Sequence, residues 1–178
     1  IRLLIVGGSL GAQALNETVP QALSEITNEL LPSVWHQTGK DKREATLANY
    51  KKVSIDAKVT EFIEDMAEAY EWADLVICRA GALTVSELAN AGVAAILVPY
   101  PYAVDDHQTR NALYLTEAGA ARLILQSELT PELLANVLRD LLCGGRERLV
   151  NMAVAARHLA KPEATRQVAE TCLEVMHG

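Results

Sequence analysis

The sequence predicts a doubly wound α/β domain: a parallel, Rossmann-like sheet of about six strands with a helical carboxyl-terminal tail. Three observations carry that expectation. Short apolar runs alternate with longer amphipathic stretches, the first run empties into a glycine-rich turn, and beyond Gln126 the pattern is helical only. Strands separated by helices need right-handed crossovers, which cover both faces of a parallel sheet.

The strand candidates are RLLIVGG (2–8), SVWHQTG (33–39), AKVTEFI (57–63), DLVICRA (74–80), AAILVPY (94–100) and ARLILQ (121–126), each rich in Val, Ile, Leu or aromatic residues. Between them, residues 12–30, 42–51, 65–72, 83–91 and 106–118 carry helical spacing. Thr130-Pro131-Glu132 starts a tail helix with Pro at its first position, and Gly144-Gly145 stops it. Two more helices follow, split at Lys161-Pro162, the last over about 163–177. No repeat, linker or low-complexity segment interrupts the series, so one domain is expected.

Composition narrows the function. With 178 residues, 50% hydrophobic and 22% charged, the chain suits one globular core. A net charge of -7 argues against nucleic acid, whose binding rests on clustered Lys and Arg. Cys78, Cys143 and Cys172 are odd in number and far apart, which suggests neither a disulfide framework nor a zinc site and favours a reducing cytosol. No apolar run reaches a membrane span. The chain opens on Ile1 directly into a strand with no leader pattern, the expectation being a piece of a longer protein.

In a doubly wound sheet ligands bind beyond the carboxyl ends of the strands, so the strand exits are the residues to read. The first exit is VGGSLGAQALN, residues 6–16. Gly7, Gly8 and Gly11 let the backbone turn and approach a ligand, and Ser9 with free amides at a helix start suits a phosphate. A tight turn with nothing bound fits as well. The dinucleotide pattern would need Gly at position 6, where Val stands, and Trp35-His36-Gln37-Thr38 offers no acid for an adenosine ribose. A nicotinamide cofactor is therefore disfavoured, and no other cofactor is expected.

The second exit is ICRAGALTVSELANAG, residues 77–92. Gly81 permits close backbone approach, the amides of Ala82, Leu83 and Thr84 sit at a helix start, and Glu87 follows one turn on. Phosphate at the amides and a diol at the carboxylate is one reading; a capping box of Thr84 and Glu87 is the other. At VPYPYAVDDHQTRNA, residues 98–112, Asp105 or Asp106 reads most simply as a helix cap, and His107 and Gln108 are fit to bind sugar hydroxyls. At VTEFIEDM, residues 59–66, Phe62 and Ile63 would flank a planar base or close the core, and the core reading is the simpler. No catalytic triad, metal cluster or close carboxylate pair can be assembled.

Taken together, GGSLGAQALN, WHQTGK, VTEFIEDMAEAYEWADLVICRAGALTVSELANAG and DDHQTRNA resemble the carboxyl-terminal half of the MurG family of peptidoglycan glycosyltransferases, over essentially the whole chain. That resemblance implies one half of a GT-B fold, and transfer of N-acetylglucosamine from UDP-GlcNAc to lipid I, making lipid II with inversion and no metal. It implies that Gly8, Ser9, Gly11 and the amides around Gly81, Ala82, Leu83 and Thr84 face the diphosphate. Ile63 would read uracil with Phe62 and Met66 beside it, Glu87 would take the ribose hydroxyls, and Gln108 the sugar, with His107 next to it.

The family's amino-terminal domain, which holds lipid I, the proposed catalytic His and the membrane-facing patch, is absent, as is an Arg the family places before the first strand. No catalytic residue is therefore expected in this half, which should bind donor weakly without turnover. The whole enzyme would sit peripherally on the inner face of the plasma membrane. Because tails of this fold pack across the missing domain, the last helix would expose its apolar stripe and invite self-association. Rival readings are another UDP-sugar transferase of this fold, such as a glycolipid synthase, a UDP-GlcNAc epimerase, and a stand-alone nucleotide-sugar module.

Overall fold

The structure, a computed structural model, describes residues 1–9, 11–103 and 106–177. Six strands form one parallel sheet: β1 (Arg2–Val6), β2 (Ser33–Gln37), β3 (Lys58–Thr60), β4 (Leu75–Cys78), β5 (Ala94–Leu97) and β6 (Ala121–Leu123), in the order β3-β2-β1-β4-β5-β6. The helices are α1 (Gln13–Ser24), α2 (Arg43–Lys52), α3 (Met66–Trp72), α4 (Ala82–Ala91), α5 (His107–Thr116), α6 (Pro131–Cys143), α7 (Gly145–His158) and α8 (Ala164–His177). Each expected strand is present, but each ends short of its apolar run, because residues such as Gly7 and Gly8 continue the run while leaving the ladder.

The alternation of side chains along each strand splits the core in two. Leu3 and Ile5 of β1 join Leu75 and Ile77 of β4 against α1 and α6, while Leu4 and Val76 face Val85, Leu88 and Leu115 of α4 and α5. β4 and β5 are buried along their whole length, as strands covered on both faces must be.

The helix expected over residues 12–30 ends at Ser24, and a short 3-10 turn occupies Asn28–Leu30. Ser24 Oγ donates to the Gln21 carbonyl at 2.7 Å, a local bond that competes with helix continuation. Within α1, Pro20 has no N–H for the Asn16 carbonyl. Asn49 Nδ2 of α2 approaches that carbonyl instead, at 3.4 Å.

The tail follows the sequence expectation. Thr130 caps α6 by accepting from the Leu133 amide at 3.1 Å, with Pro131 at the first helical position. α8 carries exposed Val168, Leu173, Val175 and Met176. Among the described residues no helix is long and apolar enough to cross a membrane.

The strand order reverses direction at β1 and β4, which pair with Val6 opposite Cys78. The loops leaving these two strands, which begin at Gly7 and Arg79, start side by side. This is the switch point at which open α/β sheets form their ligand crevice.

Candidate functional site

The glycine loop after β1 is built against β2. Gly7 N donates to the Gln37 carbonyl at 3.0 Å, Gly8 N to Gln37 Oε1 at 3.0 Å, and Gly11 N to the Gly8 carbonyl at 2.9 Å. The amides of Gly7, Gly8 and Gly11 are thus taken up inside the chain, and the free amides that the sequence expects at a helix start have to come from α1 itself. A side chain on Gly11 would place its Cβ 2.1 Å from the Thr38 carbonyl, and one on Gly7 would lie 2.8 Å from Ala12 N. These two glycines serve close packing inside the chain.

What the tight turn delivers is the start of α1. Ala12 occupies the cap position with no side-chain cap, so the first-turn amides of Gln13, Ala14 and Leu15 have no partner within the helix. Ser9 and Gly8 are exposed beside them. A buried network holds this start in place: Asn16 Nδ2 donates to the Thr38 carbonyl at 3.1 Å, and His36 lies between Asn16 Oδ1 (3.0 Å) and the Tyr50 hydroxyl (2.8 Å). Because Asn16 Oδ1 can only accept, His36 carries its proton on Nε2 and accepts from Tyr50 at Nδ1. Burial lowers its pKa from 6.5 to about 3, so the ring is neutral.

The loop after β4 starts the second helix. Asn111 Nδ2 of α5 donates to the Ala80 carbonyl at 3.0 Å, and α4 begins at Ala82 with Gly81 as its cap residue. Thr84 is thus the third residue inside the helix, not its cap, and the capping-box reading of Thr84 and Glu87 fails. No side chain caps α4 either, which leaves the amides of Ala82, Leu83 and Thr84 without partners within the helix. Gly81 has an ordinary φ of -63°, and the nearest atom to a Cβ built on it is Thr84 Oγ1 at 3.7 Å. Among the described residues nothing requires glycine there.

Glu87 is exposed and accepts from the Tyr70 hydroxyl at 3.0 Å through Oε2. With Met66, Tyr70 and Asn90 it lines a cleft of about 540 Å³ between α3 and α4. Asp65 accepts from the Glu68 amide at 2.9 Å, capping α3 and setting the rim of this cleft. Ile63 is half-buried against the α3–α4 side of the core, whereas Phe62 is 50% exposed. The core reading therefore fails for Phe62, whose ring stands at the strand exit with one side in solvent. Burial, then Glu87, pushes the Cys78 thiol up to about 12, and burial with Cys78 and Glu87 raises the Tyr70 phenol further.

A second cleft of about 420 Å³ runs from the start of α1 to α5, lined by Gly11, Gln13, Lys42, Arg79, Tyr100 and Gln108 among others. Arg79 forms its floor, donating to the Val98 and Pro99 carbonyls at 3.1 and 3.2 Å and to Gln126 Oε1 at 2.6 Å. Gln108 Oε1 accepts from the Tyr100 amide at 2.9 Å, so the Nε2 end remains to donate elsewhere. His107 is exposed at the first position of α5. Asp106 stands at the cap position of that helix, but its carboxylate takes the Thr109 hydroxyl at 2.6 Å and no backbone amide. Asp105, the other expected cap, lies outside the described residues.

Met66 and Glu87 thus share one cleft, Gly11 and Gln108 another, and the Leu83 side chain lines a third with Tyr114 and Pro162. Tyr70, Gln37 and Asn111 escaped the sequence reading. Tyr70 and Gln37 meet partners 17 and 29 residues away, which no local spacing reveals. Arg79 carried a signal, a cation immediately after a buried strand.

Residues 2–171 match the model of the glycosyltransferase family 28 C-terminal domain. The UDP-N-acetylglucosamine–N-acetylmuramyl-(pentapeptide) pyrophosphoryl-undecaprenol N-acetylglucosamine transferase of Marinobacter nauticus is 56% identical over 178 residues, all of this chain and 49% of the relative. The protein of the same name from Dechloromonas aromatica is 56% identical over 175 residues, 98% of this chain and 49% of the relative. The crystal structure of Acinetobacter baumannii MurG superposes with a TM-score of 0.90 at 49% identity, covering 97% of this chain and 49% of that one. WaaG, a glycosyltransferase involved in lipopolysaccharide biosynthesis, shares the fold at a TM-score of 0.71 and 22% identity, over 99% of this chain and 47% of its own. The chain spans about half the length of the curated relatives it matches.

Proposed function

The chain belongs to the glycosyltransferase family 28 C-terminal domain family, and from that premise we propose that it holds UDP-GlcNAc for transfer of N-acetylglucosamine to an undecaprenyl-pyrophosphoryl N-acetylmuramyl-pentapeptide, lipid I. The observation that carries this reading is the pair of uncapped helix starts, α1 and α4, leaving adjacent strands at the switch point with Glu87 one turn beyond. The product would be lipid II, with the acceptor bound by the other half of the whole protein.

In this reading the diphosphate lies across the two helix starts. Amides of Gln13 and Ala14 on one side, and of Ala82, Leu83 and Thr84 on the other, donate to its oxygens, and Ser9 closes the loop side. Gly81 lacks a side chain so that the ligand can take that space. Ile63 meets uracil through its backbone, with Phe62 and Met66 against the base, and Glu87 accepts from the ribose diol. Gln108, its amide oxygen already committed to Tyr100, donates from Nε2 to a sugar hydroxyl; His107 extends that contact.

The chemistry is inverting displacement. The acceptor hydroxyl attacks the anomeric carbon, the bond to the diphosphate oxygen breaks, and the electron pair leaves with UDP. Negative charge grows on the diphosphate as that bond opens. Two fixed helix starts, with their aligned dipoles and first-turn amides that no side chain caps, stabilise charge arriving there without reorganising. The base that takes the acceptor proton belongs to the other half, as does the membrane contact that would keep the whole enzyme peripheral on the inner leaflet.

The test is calorimetry of this chain with UDP-GlcNAc. A bidentate contact to the diol predicts that Glu87→Ala costs roughly 1.5 to 3 kcal/mol of donor affinity. Unchanged affinity would remove Glu87 from the site. Competition should rank UDP well above ADP; equal displacement by ADP would exclude Ile63 as a uracil reader.

A further inference from the structure

We propose that Tyr70 is a positioning residue that sets the selectivity of this site for a ribose diol, acting through the Glu87 carboxylate. The inference rests on the reading of Glu87 as the diol acceptor, and goes beyond it by naming what holds Glu87 in place. Tyr70 is 7% exposed and packs in the core between α3 and α4, while Glu87, to which its hydroxyl donates at 3.0 Å, is exposed. The ring is fixed by packing; the carboxylate is fixed by the ring.

An exposed glutamate samples many rotamers, and ordering it on ligand binding costs conformational entropy. The buried phenol removes much of that cost in advance. Burial keeps the phenol protonated, so it serves as a donor throughout the ordinary pH range. One lone pair of Oε2 is committed to Tyr70, which leaves Oε1 and the remaining lone pair of Oε2 to accept from two neighbouring hydroxyls. That is the acceptor pattern of a vicinal diol. The same cleft supplies Met66 beside it, an apolar surface for the flat remainder of a nucleoside.

The alternative is that Tyr70 merely packs α3 against α4. Both roles lower stability when the residue is changed, so the deciding measurement is selectivity. In Tyr70→Phe the ring stays and the donor is lost, with thermal melting as the check on folding. Calorimetry with UDP and with 2′,3′-dideoxy-UDP gives the preference for the diol.

The proposal predicts that Tyr70→Phe reduces that preference about fivefold by weakening UDP alone, and that it changes nothing further in a Glu87→Ala background. Tyr70→Leu, a second variant without a donor, should give the same loss of preference. Equal weakening of both nucleotides, or additivity with Glu87→Ala, would overturn the positioning role while leaving Glu87 in place. Wild-type protein that binds the two nucleotides equally would instead overturn the diol reading itself, and this inference with it.

Discussion

Gln37 holds the Gly8 peptide at both ends, accepting from its N–H at 3.0 Å and donating to its carbonyl at 3.1 Å. The same Nε2 reaches the Glu61 carbonyl at 2.7 Å, so one side chain ties the glycine loop to the exits of β2 and β3. Gln37→Leu removes all three part-buried bonds and leaves the Gly8 carbonyl with the Gly11 amide as its remaining partner. It should destabilise the chain by roughly 1 to 3 kcal/mol in urea denaturation. Full stability in that variant would mean that the loop supports itself.

Two glycines should separate fold from ligand. Gly11→Ala collides with the Thr38 carbonyl in a backbone of φ +69°, and should cost about 3 kcal/mol or more of stability. Gly81→Ala meets only an ordinary contact with Thr84 Oγ1 at 3.7 Å, and its effect on stability should stay near 1 kcal/mol through the poorer helix cap. Its donor affinity in calorimetry should nevertheless drop at least as far as that of Glu87→Ala. A Gly81→Ala chain that binds UDP-GlcNAc normally would show that no ligand occupies that space.

His36 makes a pH prediction with a definite sign. Its folded pKa of about 3 lies below the ordinary 6.5, so between these values the unfolded chain binds a proton that the folded chain refuses. Stability from this residue is complete above pH 6.5 and is lost on acidification toward pH 3, by up to about 1.4 kcal/mol per pH unit. Chemical denaturation from pH 7 to 4 should show a steeper acid loss for wild type than for His36→Gln. Identical slopes would contradict a neutral, buried His36.

The thiols should divide by environment. Cys143 and Cys172 are exposed, whereas Cys78 is buried with its pKa raised to about 12 by burial and by Glu87. A thiol reagent at pH 8 should label Cys143 and Cys172 in the folded chain and add Cys78 only on unfolding. Rapid labelling of Cys78 would mean that the α3–α4 region opens readily.

Much of the fold was legible because buried parallel strands and amphipathic helices leave different periods in the sequence. Leu75 to Cys78 and Ala94 to Leu97 are continuous apolar runs for that reason. Strand ends were not legible, since a run such as AAILVPY keeps its apolar character after pairing stops. At the candidate site the sequence names residues, whereas the hydrogen-bond assignments are visible only in the structure. Gly7, Gly8 and Gly11 read as a tight turn ahead of a helix start, but spacing alone does not show that their amides turn inward to Gln37 and Gly8. The Thr84 and Glu87 spacing fitted a capping box equally well until Gly81 proved to be the cap residue.

The central claim is that a uridine diphosphate sugar lies across the starts of α1 and α4 at the switch point. A crystal structure of this chain soaked with UDP-GlcNAc measures that directly. The account predicts diphosphate oxygens about 3 Å from first-turn amides of both helices and the ribose hydroxyls on Glu87. Density for the nucleotide at the amino-terminal rim of the sheet, or a ribose with no contact to Glu87, would contradict it.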